Sequence, residues 1–230
     1  MKGIEQYIQE NALAYDEIAS LFSSTRQYIW KDIKPLLHFA KNGDRILDLG
    51  CGNGRLYQLF KDLSTSFTGV DISKGLIEIA QKSYPECTFS IADMRSLPFE
   101  ECTFNIVYAI ASVHHLPPAG QLETLQEVAR VLQPGGLLVM TNWNFLGRWT
   151  QKRIEKGRYL VGDTPDHIIA NFISGDKKTN EARHYWNITP EQTIVMAEAV
   201  GCDVVEQYYS KNGEKEEVRE ADNLITVLKK

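Results

Sequence analysis

The sequence predicts an α/β fold: a doubly wound, mostly parallel sheet in a single domain. Three observations carry this. Short β-rich runs alternate with stretches of helical period, the pattern that βαβ units produce. A glycine-rich turn, Gly50-Cys51-Gly52-Asn53-Gly54, follows the first apolar run. Acidic residues (Asp48, Asp71 and Asp93) mark the carboxyl ends of three successive strands, where open α/β sheets place their ligands. With 230 residues, 43% of them hydrophobic, the chain can bury one sizeable core.

Each element has its own signal. Tyr15, Ile18, Ala19 and Phe22 form the apolar stripe of an N-terminal helix. Strands are expected at Arg45–Leu49, Phe67–Asp71, Thr88–Ala92, Phe104–Ala109 and Leu137–Asn142. Another helix should follow the glycine turn. Ser73 caps a helix carrying Leu76, Ile79 and Ala80. Leu122, Leu125, Ala129 and Leu132 repeat at helical spacing until Pro134-Gly135-Gly136 stops them. Thr189-Pro190-Glu191-Gln192 is a capping box with proline at the first helical position, and Gly201 closes that helix. Asp203–Ser210 and Asn223–Leu228, joined through Asn212-Gly213, read as an antiparallel hairpin at the sheet edge. Between Trp143 and Tyr185 no strand pattern holds, so that stretch reads as helices and a loop inserted over the sheet. The expected layout is a helical cap over 1–40, a ligand-binding core over 44–142, a substrate-side insertion over 143–188, and a closing helix and hairpin over 189–230.

Composition excludes several classes. No apolar run approaches the roughly 20 residues that cross a bilayer, so no membrane partner is expected. The opening MKGIEQYIQE has no apolar core or small-residue cleavage site, so no secretory leader is expected. Cys51, Cys87, Cys102 and Cys202 are scattered without a Cys-x-x-Cys pair, which argues against a zinc ribbon and suits the cytoplasm. A net charge of −5 argues against nonspecific coating of nucleic acid but leaves room for a local basic patch.

The glycine turn carries the sharpest chemistry. A dinucleotide fingerprint would want glycine at position 55, where Arg55 stands, so hydride transfer is disfavoured. A single such turn could be only a tight turn. Asp71 at the second strand's end can accept from two ribose hydroxyls, and Asp93 beyond the third can take an exocyclic amine. Any one of these acids could be a strand-end cap; three on successive strands point to an adenosine-type ligand.

At these residues the chain resembles the class I S-adenosylmethionine-dependent methyltransferases. The blocks are ILDLGCGNG, VDIS, IADMRSLPF, FNIVYAIASVHHL and LQPGG. The resemblance implies a seven-stranded sheet with its last strand antiparallel, and S-adenosylmethionine as cofactor. It implies that Gly50, Gly52 and Gly54 wrap the methionine part, with Cys51, Asn53 and Tyr15 beside them, and that Asp48 supports the loop and the amino group. Asp71 with Ile72 would hold the ribose, Asp93 and Met94 the adenine, and Ala109 with Ile110 the sulfonium side.

A narrower resemblance is carried by Tyr15-Asp16-Glu17-Ile18-Ala19, Phe22-Ser23-Ser24-Thr25-Arg26, Trp30, Val113-His114-His115 and Arg183-His184-Tyr185-Trp186. These blocks are similar to the tRNA wobble-uridine carboxymethyl methyltransferases. That likeness implies tRNA as substrate and, in eukaryotes, a small zinc-binding activator subunit. The usual Arg-Tyr-Tyr-His stands here as Arg-His-Tyr-Trp, and 147–180 has no clear counterpart.

On the acceptor side, Arg26 suits gripping a carboxylate through two parallel hydrogen bonds, whether the substrate's or the cofactor's. His115 and His114 follow the fourth strand; His115 is expected to position substrate, and a packed loop is the alternative for both. A carboxylate acceptor is already ionised at neutral pH and needs no base. No third ligand at a recognisable spacing joins these histidines, so no metal is expected. Cys51 should pack beneath the loop, and Trp30 reads as core. Arg148, Lys152 and Lys156 share one helix face, with Arg153, Arg158, Lys177, Lys178 and Arg183 nearby. They form either a solvated face or a phosphate-contacting edge interleaved with Trp143, Trp149 and Tyr159. A small-molecule acceptor of quinone or natural-product type, or a non-catalytic adenosyl-binding module, are the other classes of function.

Overall fold

The computed structural model describes residues 2–26, 28–174 and 177–230, with side chains described outside 172–181. The chain runs α1 (Ile4–Thr25), β1 (Arg45–Leu49), β2 (Ser66–Asp71), α2 (Lys74–Ser83), β3 (Thr88–Ile91), β4 (Phe104–Ile110), α3 (Pro118–Val131) and β5 (Leu132–Trp143). It continues through α4 (Arg148–Glu155), β6 (Leu160–Val161), β7 (His167–Ser174), β8 (Lys177–Trp186), α5 (Pro190–Ala199), β9 (Asp203–Lys211), β10 (Glu214–Lys215) and β11 (Asn223–Lys229).

The main sheet has the order β10-β9-β11-β5-β4-β1-β2-β3. β1 to β5 pair in parallel, and β11 runs antiparallel between β5 and β9. Seven strands are thus as expected, with the two-residue β10 added at the edge. The order reverses between β1 and β4, which opens a crevice at their carboxyl ends. Residues alternate across the sheet and are buried on both faces. Leu47, Val107 and Ala109 join the cluster under α3, and Ile46, Ile106 and Tyr108 join the opposite one. Asn212 (φ 56°) and Gly213 (φ 92°) make the turn between β9 and β10, both left-handed as a tight hairpin of this kind demands.

Caps follow the sequence. The Ser73 hydroxyl accepts from the Leu76 amide at 3.2 Å, and Thr189 with Gln192 completes the capping box of α5. α1 buries Tyr7, Asn11, Ala14 and Ile18, spaced four, three and four apart as one helical face.

Three expectations are corrected. After the glycine turn comes a short 3-10 helix, Arg55–Leu59, in place of an α-helix. Leu132 opens β5 rather than closing α3, and β5 starts five residues before the Leu137 that periodicity suggested. The stretch after β5 is not a helical insertion: beyond α4 it is a three-stranded antiparallel sheet, β6-β7-β8. Its strands hide from pattern reading because Arg183, His184, Tyr185 and Trp186 are all buried in succession, with no polar alternation. α1 packs across β8 and supplies the polar partners. Asn11 accepts from the His184 amide at 2.7 Å, and the His184 ring donates to Glu10 at 2.7 Å.

Candidate active site

The crevice at the β1/β4 switch point opens into a cavity of about 1260 Å³ counted out to open solvent. β1 and β2 deliver the glycine loop beneath it. Val70 carbonyl accepts from the amides of Gly50 (2.8 Å) and Cys51 (2.9 Å), which fixes the loop's entry. Gly50, Gly52 and Gly54 have φ of 75°, 55° and 74°, conformations that side chains resist. A Cβ on Gly50 would stand 2.4 Å from Ser112 Cβ, and one on Gly54 2.8 Å from the Phe89 ring. On Gly52 a Cβ would meet nothing nearer than Phe22 at 3.7 Å, so Gly52 offers bare backbone to the cavity.

Asp71 braces this loop. Its two oxygens accept from the amides of Gly52 (2.8 Å) and Ser73 (2.9 Å), and each keeps a lone pair for a ligand hydroxyl. Burial nevertheless pushes its carboxyl above the ordinary value. Asp48, 2% exposed, has one oxygen with no hydrogen-bond partner; burial, then Asp71, push its pKa up to about 8. Arg55 faces it from the next turn, its guanidinium 4.8 Å from the Trp30 ring centre and its Nη1 also without a partner. Burial and then Arg26 lower the Arg55 pKa to about 10. A buried carboxylate with an unmet acceptor and a bare glycine backbone suit a ligand carrying an ammonium group.

Asp93 reaches the same cavity, held by Arg95 through contacts of 2.7–3.2 Å; Arg95 also pairs with Glu5 of α1 at 2.8 Å. Most of the Asp93 acceptor capacity is thus used within the chain.

On the opposite wall, Ala111 leaves β4 at φ 52°, left-handed without being glycine, and turns Ile110, itself and Ser112 toward the cavity. His115 follows. Its Nδ1 lies 2.9 Å from the His184 carbonyl, which can only accept, so Nδ1 carries the proton. Nε2 therefore accepts from the Tyr15 hydroxyl at 2.9 Å. Burial lowers the His115 pKa to about 3, so the ring is neutral with both nitrogens engaged. The Tyr15 side chain is also hydrogen-bonded to Arg183 and Tyr185, which tie it to β8. Half-buried Arg26, at the end of α1, stands at the mouth.

Of the sequence-predicted residues, Tyr15, Arg26, Asp48, Gly50, Cys51, Gly52, Asn53, Asp71, Ile72, Asp93, Met94, Ile110 and His115 line this cavity. Gly54 lies behind it, against Phe89 and Ala80. Ala109 is fully buried inside the sheet, and the half-buried turn that lines the cavity comes two residues later at Ala111. His114 is fully buried off the cavity, its Nδ1 accepting from the Trp143 amide at 3.1 Å, so the structure does not bring it to the acceptor side. Trp30, expected as core, is only partly buried and forms cavity wall. Arg55, Arg95 and Ala111 were not singled out as site residues. Arg55 had a signal, since it replaces a fingerprint glycine; the other two depend on long-range contacts.

A second cleft adjoins the first, sharing Arg26, Trp143 and Arg183 with it. The basic residues that follow β5 divide between solvent and this cleft. Arg148 pairs with Glu220 at 2.8 Å, Lys152 and Lys156 are exposed as a solvated face would have them, and Arg153 and Arg158 line the cleft. The side chains of Lys177 and Lys178 lie outside those described. Among the described residues no group of three His, Cys, Asp or Glu side chains could hold a metal ion. Nor is any helix long and apolar enough to cross a membrane.

Residues 46–136, which hold the glycine loop and all three strand-end acids, match the family model described as a methyltransferase domain. The mouse tRNA (carboxymethyluridine(34)-5-O)-methyltransferase ALKBH8 is 34% identical over 178 residues, 77% of this chain and 26% of its own length. The chain therefore spans about a quarter of that relative. The CcbJ methyltransferase of Streptomyces caelestis superposes with a TM-score of 0.75 at 16% identity, covering 95% of this chain and 98% of that one. A methyltransferase solved in complex with the Haloferax volcanii Trm112 methyltransferase activator superposes with a TM-score of 0.67 at 19% identity, covering 95% of this chain and 96% of that one.

Fold, loop and family match define a class I S-adenosylmethionine-dependent methyltransferase, with S-adenosylmethionine as its cofactor. Within that class the chain is similar to the tRNA carboxymethyluridine methyltransferases.

Proposed function

We propose that this chain transfers the methyl group to the carboxylate of carboxymethyluridine in tRNA. The observation that carries the reading is the acceptor wall. Arginines stand there, and the one histidine present is neutral with both nitrogens occupied. Such a wall can orient an anion but cannot remove a proton from a hydroxyl, amine or carbon acid. A carboxylate asks only for orientation, and alignment alone can supply roughly 7–11 kcal/mol.

In this reading Asp48 and the bare backbone of Gly52 hold the cofactor's methionine end. Asp71 takes the ribose, Asp93 with Met94 faces the adenine, and Ile110 and Ala111 border the sulfonium. When bound, the cofactor supplies an electrophilic methyl on sulfur. Arg26 grips the acceptor carboxylate in a planar fork. Tyr15 and His115 set the shape of the wall behind it. The segment 143–188 forms the acceptor side over the 44–142 core. The similarity to tRNA methyltransferases supports the acceptor, and the neighbour solved with an activator supports a small activator subunit as partner. The four cysteines are free, which suits a cytoplasmic site of action.

A second reading, a small-molecule acceptor, draws support from the apolar wall made by Ile29, Ile33 and Trp30. The test incubates the chain with labelled cofactor and an anticodon stem-loop carrying carboxymethyluridine, then identifies the nucleosides by mass spectrometry. The proposal expects the methyl ester. Transfer to small-molecule acceptors with none to the stem-loop selects the second reading.

A further inference from the structure

We infer that the second cleft is a nucleotide site, which holds the phosphate and base of a residue flanking the methyl acceptor. The inference rests on the RNA reading above and names a surface for it. The cleft is walled by Arg153, Arg158, Arg26 and Arg183 together with Trp149 and Tyr159. Among the described residues no acidic side chain lines it, in a chain with 30 acidic residues against 25 lysines and arginines. Among the described residues Arg153 and Arg158 make no salt bridge, whereas Arg148 on the same helix is neutralised by Glu220. Arg153 lies 4.0 Å over the Trp149 ring and 5.6 Å from the Tyr159 ring. That stacking pre-orders a guanidinium whose edge can bind a phosphate.

The aromatic rings adjoin one another along the cleft. Trp143 and Trp149 meet edge to face at 6.1 Å, and Trp149 and Tyr159 at 6.0 Å. Trp149 remains 42% exposed despite its size, with Arg153 over its ring and Trp143 and Tyr159 beside it. Cationic forks beside exposed rings are the combination that binds single-stranded nucleic acid, by phosphate contact and base stacking. Because Arg26, Trp143 and Arg183 belong to both walls, a nucleotide seated here is one step along the strand from an acceptor in the first cavity.

The test measures fluorescence anisotropy of a labelled eight-nucleotide single-stranded RNA of mixed sequence, at several salt concentrations, on the full chain. The double variant Arg153→Ala, Arg158→Ala should bind at least about tenfold more weakly. Its salt slope should be shallower by about 1.4, or 0.7 for each of two phosphates. An abasic strand of equal length should bind the unmodified chain at least fivefold more weakly than the intact strand, and Trp149→Ala should abolish that difference. Unchanged cofactor affinity in each variant shows that the fold is kept. Equal affinity and slope in the double variant, or equal binding of abasic and intact strands, overturns the inference. The methyl-ester assay judges the acceptor separately. Ester formation with arginine-independent RNA binding removes the cleft and keeps the proposed function; arginine-dependent RNA binding without ester does the reverse.

Discussion

The Tyr15 hydroxyl donates to Nε2 of His115 across 2.9 Å, joining α1 to the turn after β4 at the acceptor wall. Because Nδ1 of the same ring donates to the His184 carbonyl, the tautomer is fixed and the imidazole has no lone pair to spare. Tyr15→Phe should therefore lower kcat by roughly tenfold, the scale of one lost hydrogen bond that leaves a buried acceptor unmet. The pH profile should not change. With His115 held at about 3, no limb near pH 6.5 should exist in the unmodified chain, nor appear on His115→Ala. Steady-state rates from pH 6 to 9 check this, and a limb lost on His115→Ala would make that residue a base.

Asp48 is a carboxyl whose burial works against the empty protein. Its pKa of about 8 lies above the unfolded value near 3.9, so its contribution is favourable below pH 4 and is lost as pH rises through 8. Asp48→Asn should raise the melting temperature of the cofactor-free chain at pH 8 by at least about 2 °C. The same change should weaken cofactor binding about tenfold or more by removing the partner of its ammonium group. Calorimetry at pH 7 should also detect proton release on binding to the unmodified chain. A lower melting point with unchanged affinity would make Asp48 a loop brace only.

Much of this site was legible. The glycine loop and the acids Asp71 and Asp93 follow from spacing, because strand ends and tight turns are local events. The wall opposite was not. Ala111 sits at φ 52° with nothing in its identity to announce it. Arg183 and His184 are buried polar residues whose strand is stabilised by Asn11 and Glu10, some 173 residues away in the sequence. A window of neighbouring residues cannot see that pairing, so β6-β7-β8 read as an insertion without strands.

The glycines of the loop should separate by substitution. Gly50→Ala places a methyl 2.4 Å from Ser112 Cβ, a backbone-anchored atom that cannot swing aside, at a φ of 75°. It should destabilise the fold by more than about 2 kcal/mol. Gly52→Ala meets no atom within 3.7 Å, so it should fold with a loss of about 1 kcal/mol for its left-handed φ. Its methyl would nevertheless block the cofactor. Urea unfolding beside cofactor titration distinguishes them, and equal stability of the two variants would contradict the packing argument.

Four histidines should make the fold acid-sensitive. Burial lowers the pKa of His114, His115, His167 and His184. Lowered values mean that the unfolded chain takes up the protons, so their stabilisation is full above about pH 6.5 and is lost as pH falls through the folded values. Asp48, Asp71 and Asp222 are raised and act in the opposite sense, so the histidines prevail once their unfolded rings are mostly protonated, below about pH 6.5. Urea midpoints should fall from about pH 6 to 5. A midpoint that holds or rises over that range would show these rings accessible to protons in the folded state.

The account depends most on the acceptor being an ionised carboxylate, and one comparison isolates it. Two stem-loops differing only at the wobble uridine, one bearing the carboxymethyl group and the other its uncharged amide, are offered to the chain with cofactor in excess. The carboxylate stem-loop should be converted to the methyl ester. The amide, which matches it in shape but lacks the charge that the arginines hold and the nucleophilic oxygen, should give no methylated product. Comparable methylation of both, or methyl found on the base or ribose, would contradict the account.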